Sequence, residues 1–261
     1  SANSYLKQAE KVYIDNEIGE DYLLGEIYFY LAKTYFEMDN IGQAIDYSFL
    51  AKEKFEKINN KDKYAKTLLF LSEEYSKKGD LENAIKYSKK TLKIYRELND
   101  INNVSNIEND LGKLFYNFEN IEESFKHYEL ARDIRMQNND DKVIDTLINI
   151  SKNYLKIKDL NKCAEILDDI EDRLTENNKD EMIECNLVRY RMAIINGRDI
   201  EAEQILLDSY KFAKSNELYQ RAGELAIMIG KFYLDNKNDE NAAKYLDEGV
   251  SIFREIGILN N

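Results

Sequence analysis

The chain has 261 residues, of which 43% are hydrophobic and 33% are charged. Those proportions are typical of a folded chain with a continuous core and argue against intrinsic disorder. The 50 acidic residues outnumber the 37 basic ones, and a net charge of −13 repels phosphate backbones, so we expect this chain to bind no nucleic acid itself.

Two further composition features limit the class of protein. No stretch approaches the ~20 apolar residues of a membrane-spanning helix, and no leader peptide is recognisable, so we expect no membrane association and a cytoplasmic location. Cys163 and Cys185 are 22 residues apart, without a CxxC pair or a nearby histidine. We therefore expect two reduced, structural thiols and no metal site.

The N-terminal segment is predicted to be half of a helix pair. Residues 5–16, YLKQAEKVYIDN, align with residues 87–98, YSKKTLKIYREL, which read as the second helix of a pair. Residues 1–20 are therefore predicted to hold the second helix of a truncated repeat. The chain begins Ser-Ala-Asn without an initiator methionine, so we expect a fragment of a longer protein whose preceding segment packs on this helix.

The remainder of the chain, residues 21–261, is predicted to repeat one helix pair about six times. A small residue inside the second helix of each pair recurs at steps of 40, 40, 39, 39 and 40 residues: Ala44, Ala84, Ser124, Cys163, Ala202 and Ala242. A period of this length marks stacked helix-turn-helix units, because one unit buries its apolar face only against its neighbours. The predicted units are residues 21–60, 61–100, 101–140, 141–178, 179–217 and 218–257.

The first helix of each unit carries an apolar residue, a small residue and, three positions further on, an aromatic residue. The pattern is Leu31-Ala32-Tyr35, Leu71-Ser72-Tyr75, Leu111-Gly112-Phe115, Ile150-Ser151-Tyr154 and Ile229-Gly230-Tyr233. A small side chain allows two helices to approach closely, and the aromatic ring one turn later fills the space beside it. An Asp or Asn in the turn that follows is able to cap the second helix.

The fifth unit departs from this pattern. Its small position falls on Tyr190 or Arg191, depending on the register. A bulky side chain there is expected to push the helix pair apart. Two interpretations stay open: ordinary drift compensated by Gly197 and Ala202, or a softer joint in the array.

These residues resemble the tetratricopeptide repeat family over nearly the whole chain. The family's usual tryptophan and proline are absent, and the unit is longer than the common ~34 residues. The resemblance implies an all-α fold, a right-handed α-solenoid of antiparallel helix pairs whose concave face is lined by the first helices. It also implies a non-catalytic binding protein that needs no cofactor.

No set of residues points to catalysis. His127 is the single histidine and lies in the exposed-looking run SFKHYEL, so we expect a surface residue. The ten glycines are scattered and form no phosphate-binding loop, and the carboxylates are those of solvated helix faces. We therefore predict that the chain is not an enzyme.

The concave groove is the predicted binding site. The residues one position after the small residue of each first helix form a row that is mostly basic. Such a row would attract an acidic peptide into the groove. The alternative is that these are ordinary solvated lysines. A second row, of amide and apolar side chains, lies one turn earlier. Amide groups can hydrogen-bond to an extended peptide backbone. The alternative is that these asparagines are surface residues without a binding role. The predicted peptide-binding residues are Phe29, Lys33, Leu69, Glu73, Asn106, Asn109, Lys113, Ile148, Asn149, Lys152, Arg191 (or Met192) and Lys231.

Three functional hypotheses follow. The array resembles the ligand-sensing region of peptide-sensing transcription regulators of Gram-positive bacteria, in which a DNA-binding helix-turn-helix domain precedes similar units. The alternative is a stand-alone scaffold for protein assembly. A third class, a phosphatase-type antagonist of response regulators, needs an N-terminal helical bundle that this sequence does not show. A homodimer through Phe253, Ile256, Ile258 and Leu259 is a further prediction.

Overall fold

The fold was analysed in a computed structural model, which describes residues 2–15 and 21–259. Those residues form thirteen α-helices and no strand. The helices are α1 (Ala2–Asp15), α2 (Asp21–Glu37), α3 (Ile41–Lys57), α4 (Lys61–Lys78), α5 (Leu81–Glu97), α6 (Ile101–Asn117), α7 (Ile121–Gln137), α8 (Val143–Lys156), α9 (Leu160–Glu171), α10 (Lys179–Ile195), α11 (Asp199–Ser215), α12 (Tyr219–Asp235) and α13 (Asp239–Glu255). The all-α prediction is confirmed.

The chain divides into two compact units, unit 1 (residues 1–143) and unit 2 (residues 144–261). In unit 1, α1 packs on α2, and the pairs α2–α3, α4–α5 and α6–α7 follow; in unit 2, α10 pairs with α11 and α12 with α13. One helix, α1, lies within the segment predicted to be a half-repeat, whose predicted end at residue 20 lies outside the described residues, and its being a half-repeat stays a prediction. The division into six repeats and the handedness of the solenoid stay predictions.

The helices of a pair are antiparallel, as the first complete pair illustrates. Near the turn, the rings of Tyr35 and Tyr47 stack with centroids 5.5 Å apart. At the far end, a Cβ on Gly25 would lie 2.9 Å from the ring of Phe55. The first residues of α2 therefore lie beside the last residues of α3, and this contact requires a glycine.

Most turns between the described helices contain a left-handed residue and no proline, although the α9–α10 connection has no left-handed residue. In the first, Asp39 adopts a left-handed conformation with φ of 60°, and the amide of Asn40 donates to the Tyr35 carbonyl at 2.9 Å. This is the hydrogen bonding of a Schellman motif, which satisfies carbonyl groups at the end of a helix. Asn40 then caps α3 by accepting from the Gln43 amide at 3.3 Å. A left-handed residue followed by a capping residue therefore ends one helix and starts the next.

The small residues of the second helices lie where helices touch. All six are completely buried, including Ala44, Ser124 and Cys163. Ser124 Oγ donates to the Gly112 carbonyl at 2.8 Å, so the two small positions of that pair contact each other directly. A side chain on Gly112 would lie 2.4 Å from the ring of the buried Tyr128. Close packing therefore explains why these positions hold small residues.

The fifth pair, α10–α11, replaces the small residue of its first helix with Tyr190. Tyr190 and Gly230 both stand five residues before the end of their helices, which identifies Tyr190 as the counterpart of Gly230. Its ring is half-buried and packs edge to face on Phe232 at 6.4 Å. The register ambiguity is thereby resolved, and Arg191, not Met192, is the exposed residue one position later.

The core follows the chain within each unit. In unit 1 it contains Leu31, Leu68, Leu71 and Leu111, and in unit 2 it contains Leu206 and Ile229, all with at most 1% of their surface exposed. In the described residues, no helix is both long enough and apolar enough to cross a membrane.

Candidate functional site

Two adjoining cavities of about 370 and 410 Å³ lie along the first helices of unit 1. They share Phe36, Leu69 and Glu73 in their walls, so together they form one continuous groove across α2, α4 and α6. We call it the unit 1 groove. Its wall consists of Phe29, Lys33, Phe36, Glu37, Lys66, Leu69, Phe70, Ser72, Glu73, Ser76, Lys77, Ser88, Asp110, Lys113, Leu114 and Asn117.

Aromatic side chains form the apolar part of this wall. Phe70 on α4 packs edge to face on both Phe29 and Phe36 of α2, with ring centroids 5.7 and 5.3 Å away. The ammonium groups of Lys33 and Lys77 lie 5.3 and 4.6 Å from the rings of Phe29 and Phe36, within range of a cation–π interaction. The groove therefore offers apolar surface with cationic groups at its edge.

Three carboxylates, Glu37, Glu73 and Asp110, lie in the same groove. Burial beside the groove wall and the nearby Asp110 both raise the pKa of Glu73, although Lys33 opposes the shift. The Glu73 side chain is exposed to solvent, but the concave groove wall excludes part of the water around its carboxylate. Burial likewise raises the pKa of Asp110, against the attraction of Lys113, whose Nζ lies 3.5 Å from it. The groove in unit 1 is therefore of mixed charge and not uniformly basic.

Helix α4 contributes more residues to the groove wall than any other helix, and side-chain hydrogen bonds hold it against α5. Ser72 Oγ lies 2.8 Å from the Ala84 carbonyl and 2.7 Å from Ser88 Oγ, which ties α4 to α5 under the cavity. Because the backbone of α4 is held this way, Leu69 and Glu73 project one turn apart into the groove.

Five of the predicted site residues line the unit 1 groove: Phe29, Lys33, Leu69, Glu73 and Lys113. The predicted asparagines of α6 have different surroundings. Asn106 Oδ1 accepts a hydrogen bond from Arg135 at 2.8 Å, and Asn109 is only 4% exposed. Both side chains are therefore built into the packing of the α6 region.

The predicted residues of unit 2 lie in less open surroundings. Ile148 is 4% exposed and belongs to the core. Lys152 Nζ lies 2.7 Å from Glu184 of α10, and Glu184 also pairs with Arg221 of α12 at 2.5 Å. Burial alone would raise the pKa of Glu184, but hydrogen bonds and charges from Lys152 and Arg221 hold it below its ordinary value. Lys152 is therefore half of an ion pair between helices.

Three predicted residues of unit 2 take no part in that ion-pair cluster. Arg191 and Lys231 have exposed side chains, and Asn149 is half-buried. The structure thus places five of the seven predicted residues of unit 1 in one groove, without Asn106 and Asn109, and does not group those of unit 2.

The prediction that His127 is a surface residue is wrong. Its side chain is 13% exposed, its ring stacks on Phe115 at 5.3 Å, and its Nδ1 lies 2.7 Å from Glu108. Glu108 is itself buried and accepts from Arg96 at 2.7 Å. The run SFKHYEL looked exposed because most of its residues are polar, but His127 faces α6 and its ring nitrogen is hydrogen-bonded to a buried carboxylate.

The two cysteines are free and buried, and burial raises the pKa of each thiol to about 11. Such thiols are unreactive at neutral pH. Within the described residues, no group of three or more His, Cys, Asp or Glu side chains is arranged to hold a metal ion.

Phe36 and Asp110 line the unit 1 groove but were not among the residues predicted from the sequence. Phe36 is seven residues after Phe29 and therefore on the same face of α2. Asp110 corresponds to Phe70, 40 residues earlier in the repeat. Following whole helix faces, instead of a single position per repeat, would have found both.

The comparisons with known proteins agree with this architecture. Residues 65–103 match the model of the tetratricopeptide repeat. No curated protein matches the sequence of the chain significantly. The fold is similar to that of several solved structures at low sequence identity.

One similar structure is aspartyl phosphate phosphatase F from Bacillus subtilis, with a TM-score of 0.67 and 17% identity over 95% of this chain. This chain spans 64% of the length of that protein. Another is the apo form of the quorum sensor NprR from B. thuringiensis, with a TM-score of 0.68 and 15% identity over 96% of this chain and 70% of that one.

A third is the Rap conjugation gene regulator of the plasmid pLS20 in complex with the Phr* peptide. Its TM-score is 0.59 at 14% identity, covering all of this chain and 71% of that one. The resemblance to the tetratricopeptide repeat family is thereby confirmed, and the fold is similar to that of a quorum sensor and of a Rap regulator.

Proposed function

We propose that this chain is a non-catalytic tetratricopeptide domain that binds a short peptide or protein segment in the unit 1 groove. The observation that carries the proposal is the continuity of the two cavities across α2, α4 and α6, with an apolar floor and both signs of charge in the wall. An extended segment would lay apolar side chains on Phe29, Phe36 and Leu69.

The charges of the groove favour a segment with both a cationic and an anionic group. A cationic group would pair with Glu73 and Asp110, and an acidic group with Lys33 or Lys113. The likeness to the Rap regulator in complex with the Phr* peptide supports a peptide as the ligand class. Binding would favour one arrangement of the helix pairs, and the resulting shift in population would be the signal.

The groove is tested by titrating short synthetic peptides and measuring binding by calorimetry. The variant Glu73→Gln with Lys113→Gln keeps the net charge of the protein but removes one acidic and one basic group from the groove. We expect binding of a peptide with both charges to weaken at least about tenfold, because two charge-assisted hydrogen bonds are lost.

The matched control is Glu240→Gln with Lys244→Gln, which makes the same chemical change on the exposed face of α13. This control should bind like the unchanged protein. Equal affinity of the groove variant and the control would contradict the assignment of the groove.

We further propose that the domain is the ligand-sensing region of a cytoplasmic bacterial transcription regulator, with a DNA-binding helix-turn-helix encoded upstream. The likeness to the quorum sensor NprR supports this context. Sequencing the coding region upstream of this chain tests it. A DNA-binding domain there would support the regulator, whereas a start codon immediately before the chain would favour the alternative, a stand-alone assembly scaffold.

A homodimer through the C-terminal residues stays part of the proposal. Ile256, Ile258 and Leu259 are 38%, 54% and 42% exposed, which leaves apolar surface at the end of unit 2. Sedimentation equilibrium of the unchanged chain and of Ile258→Glu would test it, and a monomer at all concentrations would exclude it.

A further inference from the structure

The outer face of α5 differs in charge from the other second helices of unit 1. Over its whole length, α5 contains five basic and two acidic residues, whereas α3 contains three of each, and α7 contains three basic and four acidic residues. Lys86, Lys89, Lys90 and Lys93 follow at helical spacing, and all four side chains are exposed. They form a cationic face about 10 Å long at 1.5 Å per residue, on a chain with net charge −13.

None of these four lysines forms a salt bridge with a described residue, although Asp80 and Glu123 lie within electrostatic range of Lys86 and Lys89. Among the described residues, none of the four has a carboxylate oxygen within 4.0 Å of its ammonium group, whereas other lysines of unit 1, such as Lys54, Lys63 and Lys66, each have one. Uncompensated like charges on neighbouring turns repel each other and weaken a helix slightly. A partner that brings negative charge would relieve that repulsion.

Aromatic surface adjoins the same face. The ammonium groups of Lys86 and Lys90 lie 5.6 and 5.8 Å from the ring centroid of Tyr87. Phe49 of α3 packs edge to face on Tyr87 at 6.3 Å and stays 37% exposed. The face therefore offers four cations beside an accessible aromatic ring, on the second helices and not in the unit 1 groove.

We propose that the surface formed by Lys86, Lys89, Lys90, Lys93 and Phe49 docks a partner protein through a short segment of acidic and apolar side chains. Charge complementarity selects an acidic partner, and Phe49 selects an apolar residue within it. The short length of the cationic face fits a few carboxylates, while a long polyanion would meet the repulsion of the rest of this acidic chain. A protein segment is therefore favoured over a nucleic acid.

Fluorescence anisotropy with three labelled probes tests the proposal. The probes are a short peptide of Glu and Asp with Leu and Phe, the same peptide with Gln and Asn in place of the acids, and a single-stranded oligothymidine of equal charge. At about 50 mM salt we expect the acidic peptide to bind at least tenfold more tightly than either other probe, and its affinity to fall as salt increases.

The variant Lys86→Gln, Lys90→Gln, Lys93→Gln should lose at least tenfold in affinity for the acidic peptide. The matched control, Lys11→Gln, Lys237→Gln, Lys244→Gln, changes the net charge equally at exposed positions elsewhere and should lose less than twofold. Circular dichroism checks that both variants are folded. Equal binding by the two variants, equal binding of the acidic and neutral peptides, or tighter binding of the oligothymidine would overturn the proposal.

The groove variant Glu73→Gln, Lys113→Gln separates this surface from the proposed peptide groove. Its affinity for the acidic peptide should be unchanged, because the changed residues lie on the first helices. A loss as large as that of the lysine variant would mean that the acidic peptide binds in the groove, and the docking surface would be rejected.

Discussion

The row of residues that follows the small position of the first helices has a different environment in each unit. In unit 1, Lys33, Glu73 and Lys113 border open cavities. In unit 2, Lys152 is paired with Glu184, which is held in turn by Arg221. The same position in the repeat therefore borders a candidate binding surface in unit 1, whereas in unit 2 Lys152 attaches α8 to a carboxylate of another helix.

The starts of the helices differ in the same way. In unit 1 every helix from α3 to α7 begins after an Asp or Asn whose side chain accepts from a backbone amide. In unit 2 the helices α10, α11 and α12 begin without such a side-chain bond. Side-chain capping is thus more complete in unit 1, although α9 and α13 of unit 2 are also capped, and ion pairs between helices occur in both units.

The largest expected effect concerns close helix contact. Gly112→Ala in unit 1 should lower the free energy of unfolding by about 3 kcal/mol, because the new Cβ would lie 2.4 Å from the rigid, buried ring of Tyr128. Gly230→Ala in unit 2 should cost less, about 2 kcal/mol, because its Cβ would meet the movable Leu246 side chain at 2.6 Å and the Ala242 carbonyl oxygen at 3.2 Å. Urea unfolding measures both.

A control for intrinsic helix propensity is Gly42→Ala, where a new Cβ would have no neighbour within 4 Å. That variant should be slightly more stable than the unchanged protein. If Gly112→Ala behaved like Gly42→Ala, the close α6–α7 contact would be refuted.

The second effect contrasts two glutamates with opposite pKa shifts. Burial raises the pKa of Glu74 in unit 1 to about 8, against the hydrogen bond that Ser48 donates at 2.8 Å. Its other carboxylate oxygen is buried and has no hydrogen-bond partner within the described residues. The pKa of Glu74 in the folded protein lies above its unfolded value of 4.5. The contribution of Glu74 to the free energy of unfolding is therefore fully present below pH 4.5 and is lost as the pH rises through 8.

Glu74→Gln removes that titration and keeps the acceptor for Ser48. We expect the variant to be more stable than the unchanged protein by about 2 kcal/mol at pH 9, and nearly equal in stability at pH 4. Urea midpoints between those pH values measure the difference. Glu82→Gln on the exposed face of α5 is the control, and a pH-independent effect of Glu74→Gln would contradict the argument.

The third effect tests the ion pairs of unit 2. Arg221→Gln removes contacts with Asp180, Glu184 and Glu224 and should lower the free energy of unfolding by about 1 kcal/mol at pH 7. Since the folded pKa of Glu184 is depressed, its contribution is present at neutral pH and lost as the pH falls. The difference between variant and unchanged protein should therefore shrink toward pH 3.

Arg254→Gln, at an exposed position of α13, serves as the control for loss of one positive charge. A deficit for Arg221→Gln that stayed the same at pH 3 would assign the effect to packing of the arginine stem and not to charge.

The smallest effect concerns helix capping. Arg198→Asn would supply a capping side chain at the start of α11 and should raise the stability by about 0.5 kcal/mol, after loss of the exposed pair with Glu201. The converse change in unit 1, Asp80→Ala, should lower it by about 1 kcal/mol, because Asp80 accepts from the Asn83 amide at 3.1 Å. Thermal unfolding of both variants would show whether the two units differ as described.

Much of the fold could be predicted from the sequence, because the repeat imposes it locally. The small row was predicted to lie at helix contacts, and Ala44, Ala84 and Ala242 are completely buried. Less of the site could be predicted. The predicted site took one residue position from each repeat and therefore included Lys152. The carboxylate that pairs with Lys152 belongs to Glu184, 32 residues further along the chain, so no local pattern shows the pair.

The sequence by itself determined the all-α helix-pair array, since apolar spacing, small residues and turn residues are properties of each short segment. Only the tertiary structure decided which polar side chains stay available. Asn106, Lys152 and His127 look alike on paper as solvated helix residues, yet each has a partner on another helix, and Lys86 has none among the described residues. The physical reason is that a polar side chain keeps its hydration unless a neighbouring helix places a partner opposite it. A local sequence pattern contains no information about that neighbouring helix.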